Sequence, residues 1–484
     1  MTQKLTHTRE SSWLARTCRQ LFYVDLRSLA ALRICLGLVI LADLASRSRH
    51  LVAHYTDLGV APREVLAGQY GLPCFFSVHY WLSGSPVAVA LLFIVNGVAA
   101  LLLVAGWRTR LTTFVCWYLL ASLIIRNPLV TFAGDRTLQL MLFWSLFLPL
   151  GARWSMDRRL NPAALNVSNT YVSMASLALL LQICFIYWFS AGFKMLTDMW
   201  SDGDAIAVAL SVEALVKPTG LWIARFDSLL PLLTACVLNF EIVGPFLPFI
   251  PGFTTPGRLA AVTAFLLMHL TFALCFNLGV FPFMSAVAWV AFIPTAFWDR
   301  LEERFRPGRR QAASPIRPTR LGSAVAAVCL GLVVALNVRS LPPLERWVPA
   351  AVARVGHALR LTQTWGMFTT EQIPHGWFVV PGRLADGREV DLLGGGDTVP
   401  WERPALVTAI YPSSRWIQLL HAYPKFDESP YWSSYAAYLC WDWNRRNTGP
   451  QRLQGLSIGY MYVQPSPAGP ERLHHIVFLE HSCL

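Results

Sequence analysis

Nine apolar runs, each near the length needed to cross a bilayer, dominate the first 340 residues of the chain. They fall at 28–46, 86–106, 111–127, 137–151, 171–192, 228–247, 258–277, 280–298 and 321–340. Crossing the hydrocarbon core takes about 20 helical residues. Lipid offers no partner to backbone N–H and C=O groups, so a segment that crosses it alone must be a helix. The expected fold class is therefore a mostly α polytopic membrane protein with about nine transmembrane helices. Composition agrees: 55% of the residues are hydrophobic and 14% charged, against roughly 25% charged in soluble domains. Two runs are less regular than the rest: the fourth is short, and the sixth ends among Pro245, Pro248, Pro251 and Pro256.

Charge placement orients these runs. Residues 1–27 form a basic tail, with a short interfacial helix expected around Trp13 to Tyr23. If the tail is cytoplasmic, the inner loops carry Arg108 and Arg110, then Arg153, Arg158 and Arg159, and finally seven arginines from Arg300 to Arg320. The outer segments are poorer in Lys and Arg, and Asp198, Asp202, Asp204 and Glu213 make one of them acidic. By the positive-inside rule this pattern gives an odd number of spans, a cytoplasmic N-terminus and an extracytoplasmic C-terminus, as in a bacterial inner membrane. The net charge of +12 thus reflects loop orientation in a lipid bilayer, and nucleic acid is not an expected partner.

From residue 341 the character changes to ordinary polarity, with turns at Asp386-Gly387 and Gly394-Gly-Gly-Asp. Runs starting at Trp377, Glu389, Ala405, Leu456 and His475 read as strands. Residues 430–446 read as an amphipathic helix with Tyr431, Tyr435, Tyr438 and Leu439 on one side. The organisation is then a tail over 1–27, a multi-helix membrane domain over 28–340 and a β-rich extracytoplasmic domain over 341–484.

Ionisable groups inside spans cost roughly 2.5–3.5 kcal/mol each on insertion scales and need a reason. They are Arg33 and Asp43 in the first run, Arg126 closing the third, Glu241 in the sixth and His269 in the seventh. Interhelical hydrogen bonding is the bland reason. For Glu241 and His269 a shared cavity between neighbouring spans is the functional one, a carboxylate and an imidazole being a general acid–base pair. Lys194 closes the fifth run in the stretch from Tyr187 to Trp200. It is either an interfacial anchor that snorkels or part of the rim of a site. Lys194, Glu241 and His269 form the candidate catalytic set, and Arg33, Arg126, Asp135 and Arg136 are candidate substrate-binding residues. His54 and Asp57 lie in an outer loop with Gly59 and Pro62, where a structural cap over the bundle is the simpler role. The ten cysteines lack Cys-x-x-Cys spacing, and neither a metal motif, a phosphate loop nor a Gly-x-Ser-x-Gly elbow occurs.

Several pieces together resemble the HTTM (horizontally transferred transmembrane) domain family, whose wider membership includes vitamin K-dependent gamma-carboxylase. They are Arg27 to Arg33 with Asp43, Tyr55 to Arg63, Gly134-Asp-Arg136, Ser190-Ala-Gly-Phe-Lys194, His269 with Gly279 to Pro282, and Gln363 to Phe368. The resemblance implies a helical membrane domain followed by an extracytoplasmic β-rich one. It implies chemistry on a lipidic or quinone-like substrate, reduced vitamin K or another quinone as cofactor, and an exported protein or lipid as partner. In the carboxylase motif Ala-Gly-x-Lys-Lys-Leu the second lysine is the base; here the first matches Lys194 and the second falls on Met195. A thioether cannot abstract a proton, so carboxylation itself is not expected. A non-catalytic protein whose outer domain binds or matures an exported partner is the alternative. The carboxylase also implies a bridge between its two domains, which here would be Cys74–Cys440, with Cys440–Cys483 as the rival pairing.

Overall fold

The computed structural model describes residues 7–70, 76–161, 167–305, 314–369, 376–422, 430–464 and 472–484. Each predicted run contains a helix. These are α1 (Leu26–Ser48), α2 (Pro86–Ala105), α3 (Thr109–Arg126), α4 (Ala133–Ser145), α5 (Met174–Lys194), α6 (Leu230–Val243), α7 (Thr254–Cys275), α8 (Phe281–Trp289), α9 (Thr295–Phe305) and α10 (Arg320–Ser340). Local chemistry sets their ends. Asp25 caps α1 by accepting from the Arg27 backbone N–H, Ser85 with Pro86 starts α2, and the Ser173/Ser176 box starts α5; each satisfies an orphan donor of a first turn. The α2 helix stops at Gly106, whose φ of 72° is one that a residue without Cβ adopts without strain.

Among the described residues, six helical segments are long and apolar enough to span: α1, α2, α5, the 227–249 segment containing α6, α7 and α10. The count rises to seven if the bent pair Phe281–Phe292 and Thr295–Phe305 is one span. The expectation of nine exceeds this for physical reasons. α4 has 13 residues, about 20 Å of helix, short of a hydrocarbon core about 30 Å thick. The eighth run turns by 83° where Pro294 interrupts the backbone. α3 has 18 residues but buries Thr109, Thr112, Thr113, Ser122 and Arg126, so its packed face is of mixed polarity. Ahead of the bundle, the expected short helix spans His7–Phe22.

The C-terminal region contains one antiparallel sheet of β1 (Gly376–Val379), β2 (Pro381–Leu384), β3 (Glu389–Asp391), β4 (Leu453–Gln464) and β5 (Arg472–Ser482). Central strand β4 places Tyr460 opposite Phe378 of β1 and Ile476 of β5, and Leu456 opposite Gly382 of β2 and His481 of β5. So β1 and β2 share one side of β4, while β5 takes the other. Two helices pack on the sheet region, α11 (Ser414–Ala422) and α12 (Pro430–Asn444). Tyr431, Tyr435 and Leu439 form the buried side of α12, as their spacing predicts. The run from Ala405 to Tyr411 is not a strand; it holds a 3-10 turn at Val407–Ile410 and ends at Pro412, which cannot donate to a ladder. Three elements escaped the pattern: short β2, helix α11 and the helix Ala350–Ala358.

The chain after residue 341 does not simply leave the bundle. Leu361 and Trp365 are fully buried, and Gln363 Oε1 accepts from Gln182 Nε2–H of α5 at 2.7 Å. Trp144 of α4 donates to Gln182 and Trp365 donates to Gln363, so both buried amides are satisfied.

The Cys74–Cys440 pairing is not formed, because Cys440 of α12 is bonded to Cys483 at the end of β5; Cys74 lies outside the described residues. The bridge closes a 43-residue separation within one region. Its removal in a Cys440→Ala/Cys483→Ala variant is expected to lower stability by about 2–4 kcal/mol. Thermal unfolding with and without reductant checks this: wild type should soften under reductant and the double variant should not respond.

Candidate functional site

Four helices of the bundle bring the three candidate catalytic residues to one cavity. On α5, Tyr187, Ser190 and Lys194 fall at i, i+3 and i+7 and share a face. Across from them stand Val237 and Glu241 of α6, Met268, His269 and Phe272 of α7, and Phe281 of α8. The helix Ala205–Ser211 adds Ala205 and Ala209, and Trp200, Phe276, Met367 and Phe368 complete the wall. The wall is almost wholly apolar and leaves about 40 Å³, room for one or two waters.

Lys194 does not snorkel. It is 3% exposed, and its Nζ donates to Glu241 Oε1 at 2.6 Å. The ammonium also sits 4.4 Å from the centroid of the Trp200 ring, a cation–π contact that gains strength where water is excluded. Trp200 is held in place by its indole N–H, which donates to the Phe368 carbonyl at 2.8 Å. This explains why a segment 170 residues downstream, singled out by its resemblance alone, reaches the cavity.

His269 is bound from the other side. Its Nε2 lies 2.7 Å from Tyr187 Oη, and the indole N–H of Trp289 donates to the same oxygen at 2.8 Å. An indole nitrogen only donates, so Tyr187 accepts from Trp289 and has its own proton to give to His269 Nε2. That assignment leaves His269 neutral with an N–H at Nδ1.

Three buried polar atoms on this wall lack partners among the described residues: Glu241 Oε2, His269 Nδ1 and Ser190 Oγ. Each such group costs about 1–3 kcal/mol unless something meets it. The cavity therefore presents an acceptor, an N–H donor and a hydroxyl, next to a fixed cation. Chemically it can take a proton at Glu241, offer a hydrogen bond at His269 and hold a developing negative charge at Lys194.

The four candidate substrate-binding residues are not in this cavity. Asp135 is buried in a different cluster: Arg47 Nη2 donates to it at 2.6 Å, and Arg415 of α11 donates to both its oxygens at 3.0 Å. Arg47 and Arg415 also bind Asp43, each at 2.6 Å. Arg126 donates to the Ala61 carbonyl at 2.9 Å and faces Asp57 at 3.5 Å. Arg33 donates to the Trp154 carbonyl at 2.7 Å, and Arg136 to Gln139 Oε1 at 2.6 Å. Apart from Arg136, whose partner lies one turn along the same helix, these arginines and carboxylates tie separate segments together, as interhelical glue would. In the segment that holds His54 and Asp57, Asp57 is paired with Arg63 at 2.6 Å and His54 is buried against Trp416 with ring centroids 4.7 Å apart.

Sequence reasoning missed Tyr187, Trp200 and Trp289 as parts of the site. Tyr187 was the legible one, lying two helical turns before Lys194. Met195, at the motif position of the carboxylase base, is 61% exposed at the end of α5 and does not line the cavity; the lysine that this chain retains is the one facing it.

Residues 23–298 match the family model described as the HTTM domain. No curated protein and no solved structure matches the chain.

Proposed function

The chain belongs to the HTTM domain family, and from that membership we propose an integral membrane enzyme that performs proton transfer on the polar end of a lipid-soluble substrate. The observation that carries this reading is the convergence of three unpartnered buried polar atoms, on Glu241, His269 and Ser190, around a cavity entered by the buried Lys194. Glu241 Oε2 is the proton acceptor, His269 Nδ1–H the hydrogen-bond donor to the substrate, and Lys194 the clamp for the negative charge left on it. Lys194 serves as clamp rather than base because its proton already binds Glu241 Oε1. The positive-inside pattern of the loops supports an extracytoplasmic C-terminal domain over 341–484 and a cytoplasmic tail over 1–27. It also supports an odd number of membrane crossings, which is seven if the bent pair is one span.

Reduced vitamin K, the group that the wider family brings to mind, does not fit the cavity. About 40 Å³, a small fraction of the 300–1,000 Å³ of pockets that enclose a whole ligand, admits the small polar end of a substrate whose apolar part stays in lipid but not a fused quinone ring, so no step is routed through that group. Carboxylation is not proposed as the activity.

The test is extraction of protein purified in mild detergent, with mass spectrometry of the organic phase. Wild type is expected to carry a lipid-soluble compound in stoichiometric amount. Ala209→Phe, which fills the cavity, loses it, and Glu241→Gln retains less while eluting as the same monodisperse species. Identical extracts from all three proteins would leave the non-catalytic reading, in which the C-terminal domain binds an exported partner.

A further inference from the structure

A second and larger hollow lies away from the Lys194 cavity, between the end of α1 and the C-terminal region. It has a volume of about 400 Å³ and is bounded by Ser48 to Ala53 on one side and by α11 and α12 on the other. Its charged walls are Arg49, Arg445 and Arg446 against one carboxylate, Asp442. Asp442 binds both arginines of its own segment: Arg445 donates to it at 2.9 Å, and Arg446 forms a second ion pair. Arg49 is exposed and has no ion pair among the described residues. Deeper in, Trp416 is only 5% exposed, and its indole N–H meets no acceptor among the described residues. The hollow thus offers a buried N–H donor and an excess of two positive charges, a set that is completed by an anionic, acceptor-rich group.

The approach to the hollow narrows the ligand class. Leu38, Ala42, Ala45 and Arg49 are all exposed, and their spacing of four, three and four puts them on one face of a single span. They form an exposed strip that runs from the apolar Leu38 past two small alanines to Arg49, which lines the hollow. An acyl chain lying on Leu38, Ala42 and Ala45 carries its head group to Arg49. A span this apolar ends where lipid head groups begin, the depth at which arginine and aromatic side chains meet phosphates.

We propose that this hollow binds the phosphate head group of an anionic phospholipid, with Arg49 pairing the phosphate, Trp416 donating to an oxygen of the head group, and the chains on the Leu38–Ala45 face. The site is independent of the proton-transfer reading, since none of these residues lines the Lys194 cavity.

Native mass spectrometry of the full chain in detergent, titrated with palmitoyl-oleoyl phosphatidylglycerol or the matching phosphatidylcholine, tests this. One phosphatidylglycerol is expected to be retained with about tenfold preference over phosphatidylcholine. Losing a charge-assisted bond is worth about tenfold in affinity or more, so Arg49→Gln is expected to abolish that preference and Arg49→Lys to keep most of it. Trp416→Phe, which keeps the aromatic packing, is expected to weaken retention several-fold, whereas Arg304→Gln, on an exposed arginine elsewhere, leaves it unchanged. Equal retention by wild type and Arg49→Gln overturns the proposal, as does a lack of preference between the two lipids. Glycerol phosphate or inorganic phosphate binding as tightly as phosphatidylglycerol would make this a free-anion site and overturn the lipid assignment. Binding of a polyglutamate peptide without binding of phosphatidylglycerol would overturn it in favour of an acidic protein partner.

Discussion

Arg415→Ala is expected to cost about 3–5 kcal/mol, the range for removing one partner of a buried ion pair. Arg415 Nη2 reaches Asp43 of α1 at 2.6 Å and Asp135 of α4 at 3.0 Å, and Arg47 holds the same two carboxylates from within α1. Two guanidiniums balance two carboxylates, and Tyr55 accepts from Arg47 at 2.6 Å. Without Arg415 the four-group cluster carries a net negative charge in a place without water. The cluster joins α11 to the membrane helices, so the expected result is loss of docking between the two regions. It is read as a fall in melting temperature and as rapid proteolysis between residues 369 and 414. A double variant, Arg415→Met with Asp135→Asn, restores charge balance and should recover part of the loss. If Arg415→Ala melts like wild type, the cluster is hydrated and contributes little.

A second large effect is expected at Lys194. Lys194→Met strands the Glu241 carboxylate among Phe272, Phe276 and Met268, again a loss of about 3–5 kcal/mol. Lys194→Met combined with Glu241→Leu removes both charges at similar volume and should return most of the stability, since a buried pair is often no better than an apolar one. The coupling energy from the four proteins separates the readings that the sequence leaves open. An anchoring lysine among head groups gives coupling near zero, because its partner would be water or lipid phosphate. A buried pair gives coupling of about 2 kcal/mol or more. Stability recovered in the double variant without recovery of the bound compound places the pair's role in the site rather than in folding.

Periodicity alone could find the helices, because a run such as 86–106 has no alternative in lipid. It could not find how many of them span. The 13 residues of α4 look like a span when read with the apolar Leu146 to Leu150 that follow, yet their backbone turns after Ser145. Strands starting at Trp377, Glu389, Leu456 and His475 were legible from β-branched and aromatic content. The run at Ala405 has the same content and is not a strand, because Pro412 and packing against α11 override propensity.

At the candidate site, Glu241 and His269 stood out because ionisable groups in apolar helices need a reason, and that reasoning holds for their shared cavity. The same reasoning offered Arg33, Arg126, Asp135 and Arg136 as binding residues. For Arg33, Arg126 and Asp135 the partners, Trp154, Ala61 and Arg415, come from distant segments or are backbone carbonyls, and no spacing rule announces them. The local clues were Asp43 with Arg47 at i,i+4 and Arg136 with Gln139 at i,i+3, each pair on one helix face.

What the sequence by itself determined is the environment of the chain: apolar length forces helices in lipid, and basic loops bias their direction. What only the tertiary structure decided is which polar groups meet. Lys194 could equally have reached outward to head groups, since a lysine at a helix end can satisfy its charge either way. The packing of α5 against α6 removed the outward choice, placing a carboxylate 2.6 Å from the ammonium and leaving the neighbouring Met195 to face out.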